Sequence, residues 1–261
     1  LRPKKRLGQH FLMDGGIAAR IARLAVVEGI PRVLEIGAGT GALTAALVQE
    51  GAHITAFDID PDMVAVLRDR DDLRGADVRE ADALEFDYAA WAQDGDWTAA
   101  GNLPYNVATP LLIRLAALPR PPTRIVAMIQ KDVADRILAA PGTASYGSLT
   151  VAIGLHMRAQ RAFSVPPSAF FPRPGVVSSV LLLERRDAPA AEVRDPKRFE
   201  QVVRGAFAYR RKTLANSLAL ALDLPRERIA AAIASLALNS DVRGEDLDLR
   251  SFAALTDALA G

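Results

Sequence analysis

The 261-residue sequence contains no cysteine. That absence excludes a disulfide framework, a thiolate zinc site and a cysteine nucleophile together. Histidine is scarce: His10, His53 and His156 are the whole set, and no HxxxH or HxH spacing joins any two. No metal site is expected. No apolar run reaches the roughly 18 residues of a membrane span. The N-terminal LRPKKRLGQHFL is basic, but it has neither the long apolar stretch nor the small-residue cleavage site of a secretory signal. A cytoplasmic address is the default expectation, although the chain starts at Leu1 and leaves open what precedes it.

Hydrophobic residues make up 50% of the sequence and charged residues 24%, as in an ordinary globular protein rather than a disordered one. The length suits one sizeable domain with a smaller companion. The net charge of +1 hides strong segregation: +3 over residues 1–57, −9 over 58–96, +7 over 97–186 and zero over 187–261. Such a distribution fits one face turned towards a polyanion, and it equally fits charge kept at the surface for solubility.

Short β-rich runs alternate with helical patterns through the first two-thirds. RVLEIG (32–37), HITAFDI (53–59), DWTAAGN (96–102) and TRIVAMIQ (123–130) read as strands, and GALTAALVQE, PDMVAVLRDR and PLLIRLAAL as helices between them. Asp60-Pro61 and Thr109-Pro110 each offer a capping side chain followed by proline at the first helical position. This alternation predicts an α/β fold with a parallel sheet. LTVAIGLHM (149–157) and SSVLLLERR (178–186) read as an antiparallel pair at one sheet edge. DAPAAEVRDP (187–196) reads as a linker, and helical patterns near 197–209, 212–222, 226–236 and 249–259 follow it without a strand. Two domains are expected, 1–186 and a small all-α 187–261.

Ligands of open parallel sheets bind beyond the carboxyl ends of the strands. At the first such end stands Glu35-Ile36-Gly37-Ala38-Gly39-Thr40-Gly41. Gly37 and Gly39 would let the backbone approach a ligand, unless the loop is only a structural turn. The spacing is not that of a dinucleotide fingerprint. Glu35 would repel a pyrophosphate but suit an ammonium group. At the second end Asp58 can accept ribose hydroxyls, while Asp60 is better explained as a helix cap. At the third, Asp82 can accept from an adenine amino group. Together these acids outline a nucleoside with a cationic tail and no phosphate, a description that S-adenosylmethionine fits better than NAD.

The fourth strand end is Asn102-Leu103-Pro104-Tyr105. An exocyclic amine on adenine is a weak nucleophile because its lone pair is delocalised into the ring. Two acceptors aimed at its N–H bonds favour the pyramidal geometry that frees that pair. The Asn102 side-chain oxygen and the Leu103 carbonyl can serve, Pro104 holds the carbonyl by fixing φ, and Tyr105 can stack on the base. A polar turn with a core tyrosine is the alternative.

These segments, with GQHFL (8–12), YGSLT (146–150), FFPRPGVVSSV (170–180) and RRKTLANSL (210–218) in the same order, resemble the ribosomal RNA small-subunit adenine N6-dimethyltransferase family, relatives of the erythromycin-resistance RNA methylases. The resemblance spans nearly the whole chain. It implies a Rossmann-like methyltransferase sheet with an antiparallel edge, and contacts to S-adenosylmethionine from His10, Leu12, Gly37, Asp58, Asp82 and Asn102, with Gln9 and Phe11 closing the site. It also implies that Phe170 and Tyr105 sandwich the target adenine; a core anchor is the other reading of Phe170. His10 stands where the family often has asparagine, and Gly175 where lysine is common.

A base inside a duplex cannot reach a buried methyl donor, so the target must be unpaired or flipped out. Arg2, Lys4, Lys5 and Arg6, and Arg210, Arg211 and Lys212, form basic clusters that could bind the RNA backbone or remain solvated. The resemblance implies dimethylation of two adjacent adenosines near the 3′ end of small-subunit RNA during subunit assembly, with the helical domain helping to choose the RNA. A monomer is expected. A resistance-type methylase of large-subunit RNA and a non-catalytic assembly factor are the competing readings.

Overall fold

The computed structural model describes residues 3–4, 7–93 and 95–260. The chain divides into two compact units, one formed by Leu1–Ala134 with Arg158–Arg185, the other by Asp135–Met157 with Arg186–Gly261. Residues 135–157 thus cluster with the C-terminal helices, whereas the sequence reading placed them in the first domain.

In the first unit the elements are β1 (Phe11–Leu12), α1 (Gly15–Ala25), β2 (Arg32–Ile36), α2 (Ala42–Gln49), β3 (His53–Asp58), α3 (Pro61–Arg68), β4 (Asp77–Glu80), α4 (Tyr88–Ala92), β5 (Thr98–Asn102), α5 (Ala108–Ala116) and β6 (Arg124–Gln130). Helix α6 (Lys131–Ile137) follows β6; further along the chain come α7 (Ser148–Gly154), β7 (Met157–Val165), β8 (Phe170–Phe171) and β9 (Ser178–Arg185). Seven strands form one sheet in the order β4-β3-β2-β5-β6-β9-β7. Neighbours from β4 to β6 run parallel, and β9 is antiparallel to β6. The apolar run of β6, buried from Ile125 to Ile129, is what a central strand covered on both faces requires. A crevice is set at β2, whose partners are β3 on one side and β5 on the other.

Helix α1 buries Ala18, Ile21, Ala22 and Ala25, the three-and-four spacing of one helical face, and Asp14 caps it by accepting from the Gly16 and Ile17 N–H groups. Asp60 caps α3 ahead of Pro61 as expected. Thr109 does not cap α5. That helix starts at Ala108 behind Val107, and the Pro104 carbonyl already accepts from the Val107 and Ala108 N–H groups.

The expected strand at 149–157 is a helix to Gly154. Leu149, Val151, Ile153, Leu155 and Met157 are buried and alternate with less buried residues, a period of two that reads as β. The backbone instead makes helical bonds, Val151 N–H to Gly147 O at 3.2 Å and Leu155 N–H to Val151 O at 3.1 Å. The strand beside β9 is β7, whose MRAQRAFSV sequence sets polar and basic residues among its apolar ones.

The second unit also holds α8 (Pro196–Ala208), α9 (Leu214–Leu222), α10 (Arg226–Ser235) and α11 (Leu249–Ala260). Phe199, Val202, Val203 and Ala206 of α8 lie in one core with Leu214, Leu218, Ile229, Ile233 and Phe252. Tyr146 is buried in that core, and its hydroxyl donates to the Leu247 carbonyl at 2.8 Å.

Candidate active site

Beyond the carboxyl ends of β2, β3 and β5 lies a cavity of about 250 Å³. Its wall includes every residue assigned from sequence to the cofactor: Gln9, His10, Phe11, Leu12, Glu35, Gly37, Gly39, Asp58, Asp82 and Asn102. Leu103, Pro104 and Tyr105 line it as well. Four strand ends and an N-terminal strap are thus brought to one place by parallel register. Ile36 of β2 pairs with Phe57 of β3, and Asn102 of β5 pairs with Met128 of β6.

Glu35 is 1% exposed, and its Oε2 has no hydrogen-bond partner among the described residues. Burial pushes its carboxyl up to about 8; Thr44 opposes the rise and the charge of Asp58 adds to it. A buried carboxyl with an unpartnered oxygen on a cavity wall is matched by a cationic ligand group, which would supply the missing partner. The ammonium group of S-adenosylmethionine fits that requirement.

Asp58 is buried at the end of β3. Its Oδ2 accepts from the Gly39 N–H at 2.8 Å and its Oδ1 from the Asp60 N–H at 2.9 Å. Burial raises its pKa, while those backbone N–H groups oppose the rise. Each carboxylate oxygen keeps a second lone pair, so the backbone bonds fix the group without using up its acceptor capacity. Asp82 accepts from the Leu84 N–H through Oδ1 at 2.7 Å, a local turn that holds the carboxylate at the cavity edge.

At the other end, Asn102 Nδ2 donates to the His10 carbonyl at 2.7 Å. Opposed to a carbonyl oxygen, the amide must present its NH2, which leaves Oδ1 as the acceptor facing elsewhere. Gly101 permits this placement, because a Cβ there would run into the Ile36 carbonyl oxygen. Gly37, at φ +73°, turns the β2 loop against the same segment; a Cβ there would lie 3.7 Å from both the Asn102 carbonyl oxygen and Pro104 Cδ. The Leu103 N–H is tied to the Met128 carbonyl at 3.0 Å.

The ring stacked on Tyr105 is His10, at 5.5 Å between centroids and 29° between planes, and the Tyr105 hydroxyl lies 3.3 Å from Ser178 Oγ. Phe170 does not line the cavity. It is 3% exposed, in the core cluster with Leu12, Ile21, Met128 and Val180, whereas Phe171 is 58% exposed. The short pairing of β1 with β8, Leu12 opposite Phe170 and Phe11 opposite Phe171, fixes which of the two rings turns inward. Of the two readings of Phe170, the core anchor describes this geometry.

The basic clusters divide. Lys4 Nζ is 2.6 Å from both Asp60 Oδ1 and Asp62 Oδ2, so its charge is already matched within the chain. Lys5 and Arg6, like Arg2, lie outside the described residues. Arg210, Arg211 and Lys212 are exposed in the turn between α8 and α9, ahead of the Thr213 cap rather than inside the helix. Arg210 donates to the Ala144 carbonyl at 2.7 Å and approaches Glu245 at 3.5 Å.

The sheet and its cavity define the class: a Rossmann-like methyltransferase fold. The solved dimethyladenosine transferase of Plasmodium falciparum superposes with a TM-score of 0.79 at 24% identity, covering 94% of this chain and 96% of that one. The 23S rRNA methyltransferase ErmE superposes with a TM-score of 0.69 at 24% identity, over 96% and 100% of the two chains. The ribosomal RNA adenine dimethylase family model matches residues 1–260. The chain is 41% identical to ribosomal RNA small subunit methyltransferase A of Streptococcus gordonii, over 98% of this chain and 91% of that protein. It is also 41% identical to the protein of that name from Listeria innocua, over 98% and 90%. The chain belongs to the ribosomal RNA adenine dimethylase family and is a methyltransferase enzyme of that family.

Proposed function

We propose that the protein dimethylates N6 of two adjacent adenosines near the 3′ end of small-subunit (16S) ribosomal RNA, using S-adenosylmethionine, during ribosome biogenesis in the cytoplasm. The observation that carries this reading is the Asn102–His10 hydrogen bond at 2.7 Å, which holds the amide NH2 and leaves Oδ1 for an incoming amino group. Curated relatives at 41% identity carry the small-subunit name, which favours that RNA over the large-subunit substrate of a resistance methylase.

When bound, S-adenosylmethionine supplies a methyl group already activated on a sulfonium centre. Glu35 receives its ammonium group, Asp58 the ribose hydroxyls and Asp82 the adenine amino group, with Gln9, His10, Phe11 and Leu12 closing the cavity and Gly37 and Gly39 giving backbone access. At the acceptor end Asn102 Oδ1 and the Leu103 carbonyl accept the two N–H bonds of the target amine in the first transfer, and one of them accepts the single N–H that remains for the second. Asn102 is held ahead of substrate by its bond to the His10 carbonyl, and an acceptor preorganised in this way favours the pyramidal nitrogen. No general base is required before transfer, because the alkylated nitrogen is cationic and acidic and releases its proton to solvent once the neutral thioether has left. Tyr105 offers an aromatic surface for an unpaired base, and Arg210, Arg211 and Lys212 meet the RNA backbone. We further propose that residues 187–261 help to choose the RNA and that the enzyme acts as a monomer on the immature small subunit.

Mass spectrometry of ribosomal RNA after incubation of undermethylated small subunits with enzyme and cofactor tests the reading. Two dimethyladenosines in the small-subunit RNA are expected. Modification of large-subunit RNA alone would support the resistance-type reading, and RNA binding without any transfer would support the non-catalytic one.

A further inference from the structure

Asp60 does more than cap a helix. It is 1% exposed, and its carboxylate receives three hydrogen-bond donors from two segments, the N-terminal strap and the start of α3. Its Oδ1 accepts from the Asp62 N–H at 3.1 Å, the capping bond that its place before Pro61 leads one to expect. The same oxygen is 2.6 Å from Lys4 Nζ. Its Oδ2 accepts from Gln9 Nε2 at 2.8 Å. Its own N–H donates to Asp58 Oδ1 at 2.9 Å. Asp60 is absent from the cavity wall, so whatever it does there it does through its neighbours.

The strap held by Asp60 is the one that reaches the acceptor end. Gln9 Oε1 accepts from the Lys4 N–H at 2.8 Å, so the two ends of its amide are fixed by opposite partners and the side chain has one orientation. The next residue, His10, accepts from Asn102 Nδ2 through its carbonyl at 2.7 Å and donates through Nδ1 to the Pro172 carbonyl at 2.7 Å. Two consecutive strap residues therefore touch the acid just beyond β3 and the amide at the end of β5. Burial of Asp60 would favour the neutral acid, but the Lys4 and Gln9 contacts outweigh it and hold the carboxyl below its ordinary value, so the anchor is ionised at neutral pH.

We propose that Asp60 and Gln9 are positioning residues: they latch the N-terminal strap at the cofactor end of the cavity and, through the His10 carbonyl, hold the Asn102 amide in its acceptor orientation. The inference rests on the proposed methyl transfer for its acceptor half; the latch itself is read by cofactor affinity. Lys4 belongs to this latch rather than to the RNA-binding surface.

A swapped hydrogen bond provides the test. Gln9→Glu sets a carboxylate against the Asp60 carboxylate, and Asp60→Asn sets two NH2 groups against each other. The double variant restores one donor and one acceptor in reversed order, with Lys4 N–H still able to reach Glu at position 9. Calorimetric titration with S-adenosylmethionine is expected to show Kd raised about tenfold in each single variant, equivalent to ~1.4 kcal/mol, and recovered to within about threefold in the double. Single-turnover transfer to small-subunit RNA at saturating cofactor is expected to slow in the single variants and recover with the double. Melting temperatures are measured alongside. If Gln9→Glu does not fold, Gln9→Ala removes both hydrogen bonds without new charge and is expected to raise Kd and slow transfer in the same way. An unchanged Kd in the single variants, or a double variant no better than the worse single, overturns the latch. A raised Kd with an unchanged rate at saturating cofactor overturns the link to Asn102. Absence of transfer by the wild type defeats the functional reading, and with it the acceptor half, while the calorimetric cycle still decides the latch.

Discussion

Asn102 and His10, 92 positions apart in the chain, are joined by a 2.7 Å bond from side-chain amide to backbone carbonyl. The direction of that bond matters more than its length. Replacing the NH2 by oxygen in Asn102→Asp would turn an attraction into a repulsion between two acceptors at the same site. Asn102→Asp is expected to lose transfer by about 100-fold or more and also to weaken cofactor binding, because the strap is pushed away. Transfer assays with titration of S-adenosylmethionine check both arms. Binding unchanged from wild type would mean that the strap does not depend on this contact.

Glu35 predicts a pH dependence. Burial pushes its carboxyl from an ordinary 4.5 up to about 8, so the folded state holds a proton that the unfolded state has released between those values. Stability falls as pH rises through this window, since the unfolded state binds fewer protons there. Glu35→Gln removes the penalty. The variant is expected to be the more stable protein at pH 8, by on the order of 1–4 kcal/mol, with the difference shrinking towards pH 5. A cationic ligand needs the ionised form, so cofactor affinity should rise towards pH 8 in the wild type, by up to about tenfold per unit, and stay flat in the variant. Denaturant melts and binding titrations across this range check the two trends.

The neighbouring rings Phe170 and Phe171 are expected to separate stability from surface effects. Phe170→Ala empties part of the packed core and should cost about 3–5 kcal/mol of stability. Phe171→Ala changes an exposed ring and should stay within about 0.5 kcal/mol. Urea unfolding of the two variants distinguishes them. A Phe170→Ala protein of wild-type stability with impaired transfer would restore the base-stacking role implied by the family resemblance.

Much of the site was legible because its chemistry sits at strand ends. Glu35, Asp58 and Asn102 lie at the ends of strands that the sequence shows, and the parallel register of β2, β3 and β5 gathers them; Asp82 follows β4, a four-residue strand that the sequence does not show. The latch was not legible. Lys4 and Asp60 lie 56 positions apart, and a basic residue near other basic residues reads as a phosphate ligand while an acid before proline reads as a cap. Which phenylalanine faces inward depends on a two-residue pairing with β1, too short to leave a periodic trace. The 149–157 segment failed for the opposite reason: it has a periodic trace, but burial of alternate residues in a short helix imitates a strand.

Arg211 and Lys212 are exposed in the turn before α9, which suits a backbone contact and carries no base specificity. Arg211→Gln and Lys212→Gln are each expected to weaken RNA binding and to lower the slope of log K against log salt by about 0.7–0.9. Cofactor affinity should not change. Filter binding over a salt series measures the slope; a slope equal to that of the wild type would assign these charges to solvent.

Asn102→Ala, assayed for single-turnover methyl transfer to undermethylated small subunits at cofactor concentrations that saturate it, probes the acceptor geometry most directly. The variant is expected to bind S-adenosylmethionine within about tenfold of wild type and to transfer methyl groups about 100-fold more slowly or not at all. Transfer at the wild-type rate would show that the target nitrogen does not depend on the Asn102 oxygen, and the account of the site would be wrong at its centre.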